Sequence, residues 1–246
     1  MPLISRAQHS ICTLIAPHVS ARLGGKPKPV TNIFIVTLII NFTSWITNAL
    51  LAWAPVVTKL DPVLNTRVYL IRYAEWVPLA GLMTFLSDIV DCPRSQGAYM
   101  PILMGVSQTV SVFAGMMFPF TGDSFGAWIF WMIIAVGLYM VMFPRLYYKY
   151  RAIRHNKWGD TKVDMERYQR LKFSFQLICL CTIVWTILVV MYFLNGALRN
   201  WLPEGHVFRH EALGMFVDCT FDVIAKSFYQ RLLTEIHSTV FENYAT

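Results

Sequence analysis

The sequence predicts an all-α membrane protein, and three observations lead to that fold class. Hydrophobic residues make up 56% of the 246 residues and charged residues only 14%, well below the roughly 25% of an average soluble domain. The mean hydropathy is positive, at +0.47. Four stretches without Asp, Glu, Lys or Arg are each long enough to cross a bilayer, which takes roughly 20 mostly apolar residues; they lie between Lys28 and Lys59, Arg94 and Asp123, Asp123 and Arg145, and Lys172 and Arg199. This composition excludes a disordered chain, a disulfide scaffold and an ordinary soluble enzyme.

Six membrane spans are predicted along the chain. Four follow from the charge-free stretches, at about 30–56, 97–119, 125–148 and 171–199. The other two, at about 66–90 and 209–236, are apolar but contain ionisable residues. We find no internal repeat and no second domain.

Residues 1–29 precede the first clear span and form a segment of their own. Apolar residues recur there at helical spacing, with polar and basic residues on the opposite side, which is typical of an amphipathic helix that lies on a bilayer or packs on other helices. Gly24-Gly25 and two prolines then end the helix. The chain is therefore divided into an amphipathic or weak first helix (1–29), a transmembrane bundle (30–240) and a short C-terminal tail (241–246).

Basic residues are concentrated between the fourth and fifth spans. Segment 145–172 holds nine basic and three acidic residues, and so carries +6 of the chain's net charge of +7. The positive-inside rule places this loop in the cytoplasm, and it explains the charge better than nucleic-acid binding, which we do not expect. The five cysteines have no metal-ligand spacing; we interpret them as free thiols and expect no metal site.

The two spans with ionisable residues are the predicted centre of function. A charge near the bilayer centre costs roughly 2.5–3.5 kcal/mol, so such residues are usually paired and functional. In the last span Asp218, Asp222 and Lys226 recur at intervals of four, on one helical face. A buried lysine needs a counterion or covalent conversion, and its amine can form a Schiff base with an aldehyde. In the second span Arg72 and Glu75 lie one turn apart. Ion pairs that only stabilise the fold are the alternative interpretation.

Two motifs together resemble the microbial rhodopsins: Arg72-Tyr73-Ala74-Glu75-Trp76 and Asp222-Val223-Ile224-Ala225-Lys226. The first motif is similar to that of channelrhodopsins, many of which also have a glutamate at the position of Glu75. The resemblance extends over about 30–240, as helices two to seven of a seven-helix rhodopsin-like bundle. It implies that Lys226 binds all-trans retinal as a protonated Schiff base, with Glu75 and Asp222 as counterions and Arg72 in the extracellular half of the charge network. It also implies that the retinal is lined by Trp76, Trp185, Tyr192, Phe130 and Gly137.

Departures from the family pattern narrow the expected function. The position that holds a carboxylic proton donor in outward pumps is Leu86, which cannot relay a proton. A light-driven ion pump is therefore the least favoured function. A light-gated ion channel is the first hypothesis, with Asn41, Ser44, Asn48 and Asp218 as the candidate ion path. The first span lacks the acidic rings of cation channels, which favours anions. The same polar residues would also serve as interhelical hydrogen bonds.

A light sensor is the alternative to the channel. It would signal through the basic loop 145–172 or through a partner domain. In either case we expect a non-enzymatic integral protein of the plasma membrane, in contact with lipid, retinal and ions and assembled as a homo-oligomer.

Overall fold

The computed structural model describes residues 28–53, 57–91, 99–156, 159, 161–203, 205–206 and 211–236. The predicted amphipathic helix lies outside the described residues, which include only Lys28 and Pro29 of segment 1–29, and the tail 241–246 lies outside them entirely.

The described residues are mostly helical, and each predicted span contains a helix. The helices are α1 (Lys28–Trp53), α2 (Leu70–Ile89), α3 (Tyr99–Met116), α4 (Phe125–Met140), α5 (Met142–His155), α6 (Lys162–Trp201) and α7 (Glu211–Ile236). In this part of the chain three helical segments are long and apolar enough to cross a membrane: Tyr99–Met116, Phe125–His155 and Val163–Leu198. Large apolar side chains such as Phe42, Trp45 and Ile133 are exposed on the helix exteriors, as expected for residues that face lipid. The prediction of an α-helical, membrane-embedded protein is confirmed at this level.

The start of the second predicted span is a β-hairpin rather than a helix. Strands β1 (Thr58–Leu60) and β2 (Arg67–Tyr69) pair antiparallel, and α2 begins only at Leu70. Asp61 closes the hairpin, because its Oδ1 accepts hydrogen bonds from the backbone N–H groups of Val63 and Leu64 at 2.8 and 3.1 Å. Short apolar runs do not distinguish a strand from a helical turn, which explains the difference.

The basic segment 145–172 is largely helical rather than a loop. The fourth span continues through α4 and α5, which are separated only at Val141. Pro144 lacks the N–H that would donate to the carbonyl of Met140, so the regular helix is interrupted there. Helix α6 begins at Lys162, where the Thr161 hydroxyl accepts a hydrogen bond from the Asp164 N–H at 3.2 Å.

Helices that follow one another in the chain also pack against one another. Contacts run from α1 through to α7, α7 returns to α1, and α2 additionally contacts α6. Helices α2 and α3 approach closely, because a Cβ on Gly105 would lie 2.9 Å from the Gly81 carbonyl oxygen. Helix α2 is thus held between α1, α3 and α6, and it carries the predicted Arg72 and Glu75 into the interior.

Candidate functional site

The amine of Lys226 lies among an acidic and polar group of side chains from three helices. Its Nζ is 2.6 Å from Asp222 Oδ2 and 2.7 Å from Ser44 Oγ, and it forms an ion pair with Glu75 Oε1. All four side chains are buried. Asp222 and Lys226 face the same direction because they lie one turn apart on α7. The structure therefore brings together, around one amine, the two carboxylates that the sequence predicted as its partners.

Arg72 extends this network on α2. Its Nη1 lies 3.4 Å from Asp222 Oδ2, 3.8 Å from Glu75 Oε2 and 3.2 Å from Asn48 Oδ1. The two cations and two carboxylates balance, which matters because an unpaired buried charge is strongly destabilising. Glu75 Oε2 is buried and accepts no hydrogen bond from the described residues. This oxygen therefore has an ion-pair partner in Arg72 but no hydrogen-bond donor among the described residues.

A cavity of about 270 Å³ begins at Lys226. Trp76 lines it from α2, with its Nε1 donating to Asp222 Oδ1 at 3.0 Å, and Trp185 and Tyr192 line it from α6. Other cavity residues were not among the predicted ones: Tyr73, Met83, Gln108, Ser111, Phe118 and Tyr139. Tyr73, Trp76, Ala80 and Met83 recur at steps of three or four, and this spacing is the signal that would have identified the α2 face.

Phe130 and Gly137, predicted to lie near the far end of the ligand, do not line this cavity. Phe130 is 57% exposed and packs edge-on against Trp131, and a Cβ on Gly137 would meet nothing within 4 Å. Helix α4 instead presents Ala135, Val136 and Tyr139 to the cavity. Phe130 and Gly137 are seven residues apart and so share a face, but the rotation of α4 about its axis turns that face outward.

The polar residues of α1 lie along the contact with α2 and α7. Asn41 Nδ2 donates to Gln230 Oε1 at 3.0 Å, Ser44 Oγ contacts Lys226, and Asn48 contacts Arg72. We call Asn41, Ser44 and Asn48 the polar seam. Its members connect helices and also touch the charge network. Asp218, the fourth residue of the predicted ion path, is on α7, but its side chain lies outside the described residues.

A second buried charge cluster lies at the opposite end of α2. Asp88 Oδ1 is 2.9 Å from both Arg145 Nε and Lys149 Nζ, and Lys149 Nζ is also 2.6 Å from Asp91 Oδ1 and 2.7 Å from Ser174 Oγ. Asp88 and Lys149 are both 0% exposed. Sequence reasoning assigned Arg145 and Lys149 only to a basic loop. The sequence contains one signal for this cluster. Arg145 and Lys149 are four residues apart, and Asp88 and Asp91 are three residues apart, so that each pair would share one face of a regular helix.

Asp61 forms a third buried charged site, which was not predicted from the sequence. Its Oδ2 accepts hydrogen bonds from the Tyr192 hydroxyl at 2.6 Å and from Trp128 Nε1 at 3.1 Å. The carboxylate therefore joins the hairpin to α4 and α6 behind the cavity wall that Tyr192 forms.

Comparisons with protein-family models, with curated proteins and with solved structures find no match. The geometry of the site itself therefore supports the functional conclusion.

Proposed function

We propose that this chain is a retinal-binding photoreceptor of the microbial rhodopsin type, with Lys226 as the residue that forms the Schiff base. The proposed bundle is rhodopsin-like, and six of its spans would be α1, α2, α3, α4 with α5, α6 and α7. One observation carries the proposal: a buried amine stands at the end of an aromatic-lined cavity and is paired with carboxylates from two different helices.

The residues around the cavity fit a long polyene aldehyde. The walls are mainly apolar, and the flat side chains of Trp76, Trp185 and Tyr192 suit a planar conjugated chain. A protonated Schiff base on Lys226 would carry the same single positive charge as the ammonium. The balance with Glu75 and Asp222 would therefore be preserved when the bond forms.

Retinal would supply the light reaction, the isomerisation of one double bond, and the chain's own residues would respond to it. Glu75 and Asp222 hold the positive charge in place, and one of these two carboxylates would take up the proton of the Schiff base. Electrostatic energies in a buried site change more with a small displacement than they do at the surface. A displacement of the charge at Lys226 would thus act on α1, α2 and α7, the helices that share the network.

Within this function we favour a light-gated ion channel. Ser44 contacts Lys226 and Asn48 contacts Arg72, so that a change at the Schiff base acts directly on the polar seam. Helix α1 contains no Asp or Glu. The polar seam on this helix therefore offers no acidic side chain that would attract cations, which favours anions.

The second candidate is a light sensor, and the buried cluster of Asp88, Arg145 and Lys149 favours it. This cluster ties α2, which carries Glu75, to the basic helix α5. A displacement of α2 would be transmitted to the basic segment 145–172. An ion pump remains the least favoured candidate, because Leu86 is apolar where a proton donor would be required.

The pigment is tested by adding all-trans retinal to the purified protein and recording its visible spectrum. We expect a visible band in the wild type, loss of the band in Lys226→Ala, and retention in Lys172→Ala, which removes an exposed lysine from α6. Borohydride reduction followed by peptide mass spectrometry should locate the retinyl group on Lys226 in the wild type. A wild type without a band, or a label on another lysine, would overturn the proposal.

Voltage clamp under illumination separates the classes of photoreceptor. We expect a photocurrent whose reversal potential follows the chloride gradient. Reversal that follows sodium or protons would contradict anion selectivity, and unidirectional current at zero gradient would indicate a pump. A visible photocycle without current would leave the sensor.

A further inference from the structure

The carboxylate of Asp61 is buried next to the cavity, although it belongs to the hairpin that connects α1 and α2. Four donors surround it: the backbone N–H groups of Val63 and Leu64 at Oδ1, and Tyr192 and Trp128 at Oδ2. The two backbone N–H groups and the indole N–H can only donate, and three obligate donors around one carboxyl group favour its ionised form. A negative charge is therefore held close to the cavity, with the side chain of Tyr192 between the charge and the cavity interior.

The charges of Asp61 and Glu75 act on different ends of the cavity. Lys226, Glu75 and Ser44 lie where α7, α2 and α1 meet. Asp61 instead binds Trp128 of α4 and Tyr192 of α6. Helix α4 contacts α3 and α5 in the ring of helices, whereas α7 contacts α6 and α1. A chain attached to Lys226 and extended along the cavity toward α4 would therefore have Glu75 at its attached end and Asp61 nearer its free end.

We infer that Asp61 sets the colour of the pigment and positions Tyr192 against the chromophore, an inference that rests on the proposed function. When a protonated polyene Schiff base absorbs light, positive charge moves from the nitrogen toward the free end of the chain. A negative charge near the nitrogen stabilises the ground state and shifts absorption to shorter wavelength. A negative charge near the free end stabilises the excited state and shifts absorption to longer wavelength. The two carboxylates therefore act in opposite directions.

Burial makes this effect specific to Asp61. A fixed charge in a buried site is screened far less than a charge in water. Asp61 is 0% exposed, whereas Asp123, in the turn before α4, is exposed. Arg67 is a cation on β2, the strand that pairs with β1. It is also exposed, so solvent screens its electric field. Asp123 thus provides a matched control: the same charge near the same end of α4, but in water.

The test compares the absorption maxima of retinal-loaded variants. Asp61→Asn keeps an oxygen for the backbone donors and removes the charge; we expect its maximum at shorter wavelength than that of the wild type. Glu75→Gln should move the maximum to longer wavelength, and Asp123→Asn should leave it in place. An Asp61→Asn maximum that is unchanged or at longer wavelength overturns the inference. A wild type with no visible band overturns the proposed function, and this inference with it.

A second variant decides the matter if Asp61→Asn does not fold. Trp128→Phe removes one donor from Oδ2 and leaves the carboxylate in place, and Trp128 does not line the cavity. The negative charge is then less neutralised, so we expect a maximum at longer wavelength, opposite to Asp61→Asn. A shift of Trp128→Phe to shorter wavelength, or no shift, would overturn the inference.

Discussion

Replacing Lys149 with methionine tests whether the buried cluster at the end of α2 holds the bundle together. Methionine has nearly the same length and is compatible with a helix, so the change removes the charge and little packing. Lys149 Nζ contacts Asp88, Asp91 and Ser174 within 2.9 Å, and the side chain is fully buried. Among the described residues, Asp88 would keep only its ion pair with Arg145, and Asp91 would lose its ion pair with Lys149. Removing one partner of a buried ion pair costs about 3–5 kcal/mol, a large part of the roughly 5–15 kcal/mol that stabilises a typical domain.

The measurement is the free energy of unfolding in detergent, followed by the loss of helical circular dichroism. Arg151→Met is the matched control, because Arg151 is exposed on the same helix and a surface change is expected to stay within about 0.5 kcal/mol. The double variant Lys149→Met with Asp91→Asn should be more stable than the sum of the single changes predicts, by a coupling of about 0.5–3 kcal/mol. A Lys149→Met protein as stable as the Arg151→Met control would refute the assignment of this cluster as a stabilising contact.

Three further results are expected. Glu75→Gln should shift the absorption maximum of the retinal-loaded protein to longer wavelength, because a neutral partner stabilises the ground-state charge less; an unchanged spectrum would remove Glu75 from the counterion role. Gly105→Val should destabilise the bundle by about 1–3 kcal/mol through overpacking, since even a Cβ there lies 2.9 Å from the Gly81 carbonyl oxygen; a melting temperature equal to that of the wild type would contradict the close approach of α2 and α3. Gly137→Ala should stabilise α4 by about 0.5–1 kcal/mol and leave the visible band in place, whereas a spectral shift would return Gly137 to the ligand site.

The network around Lys226 could be predicted because its information is local in the chain. The four-residue spacing of Asp222 and Lys226 and the three-residue spacing of Arg72 and Glu75 define helix faces without any knowledge of packing. Charges in apolar spans must find partners, so a contact between the two motifs was a reasonable expectation. Ser44 and Asn48 were predicted as part of an ion path or as interhelical hydrogen bonds, and their contacts with Lys226 and Arg72 add a link to the network that spacing alone did not provide.

The positions on α4 show where local patterns stop being sufficient. Phe130, Gly137 and Ala135 all lie in one apolar helix, and an apolar helix carries no signal for which face points inward. The rotation is set by contacts with neighbouring elements, among them the tilted packing of the Trp128 ring against the Phe118 ring and the hydrogen bond from Trp128 to Asp61. A residue in a hairpin thus takes part in setting the face that α4 presents to the cavity.

The sequence by itself determined the helical, membrane-embedded class, the approximate spans and the pairing of Lys226 with acidic residues. These follow from hydrophobic length, charge spacing and the high cost of an isolated charge in an apolar surrounding. Only the tertiary structure decided that Asp61, Asp88 and Lys149 are buried and which face of α4 lines the cavity. A charge can be buried only where hydrogen-bond donors or cations from distant parts of the chain lie next to it. A local pattern of residues does not show which distant groups are close in space.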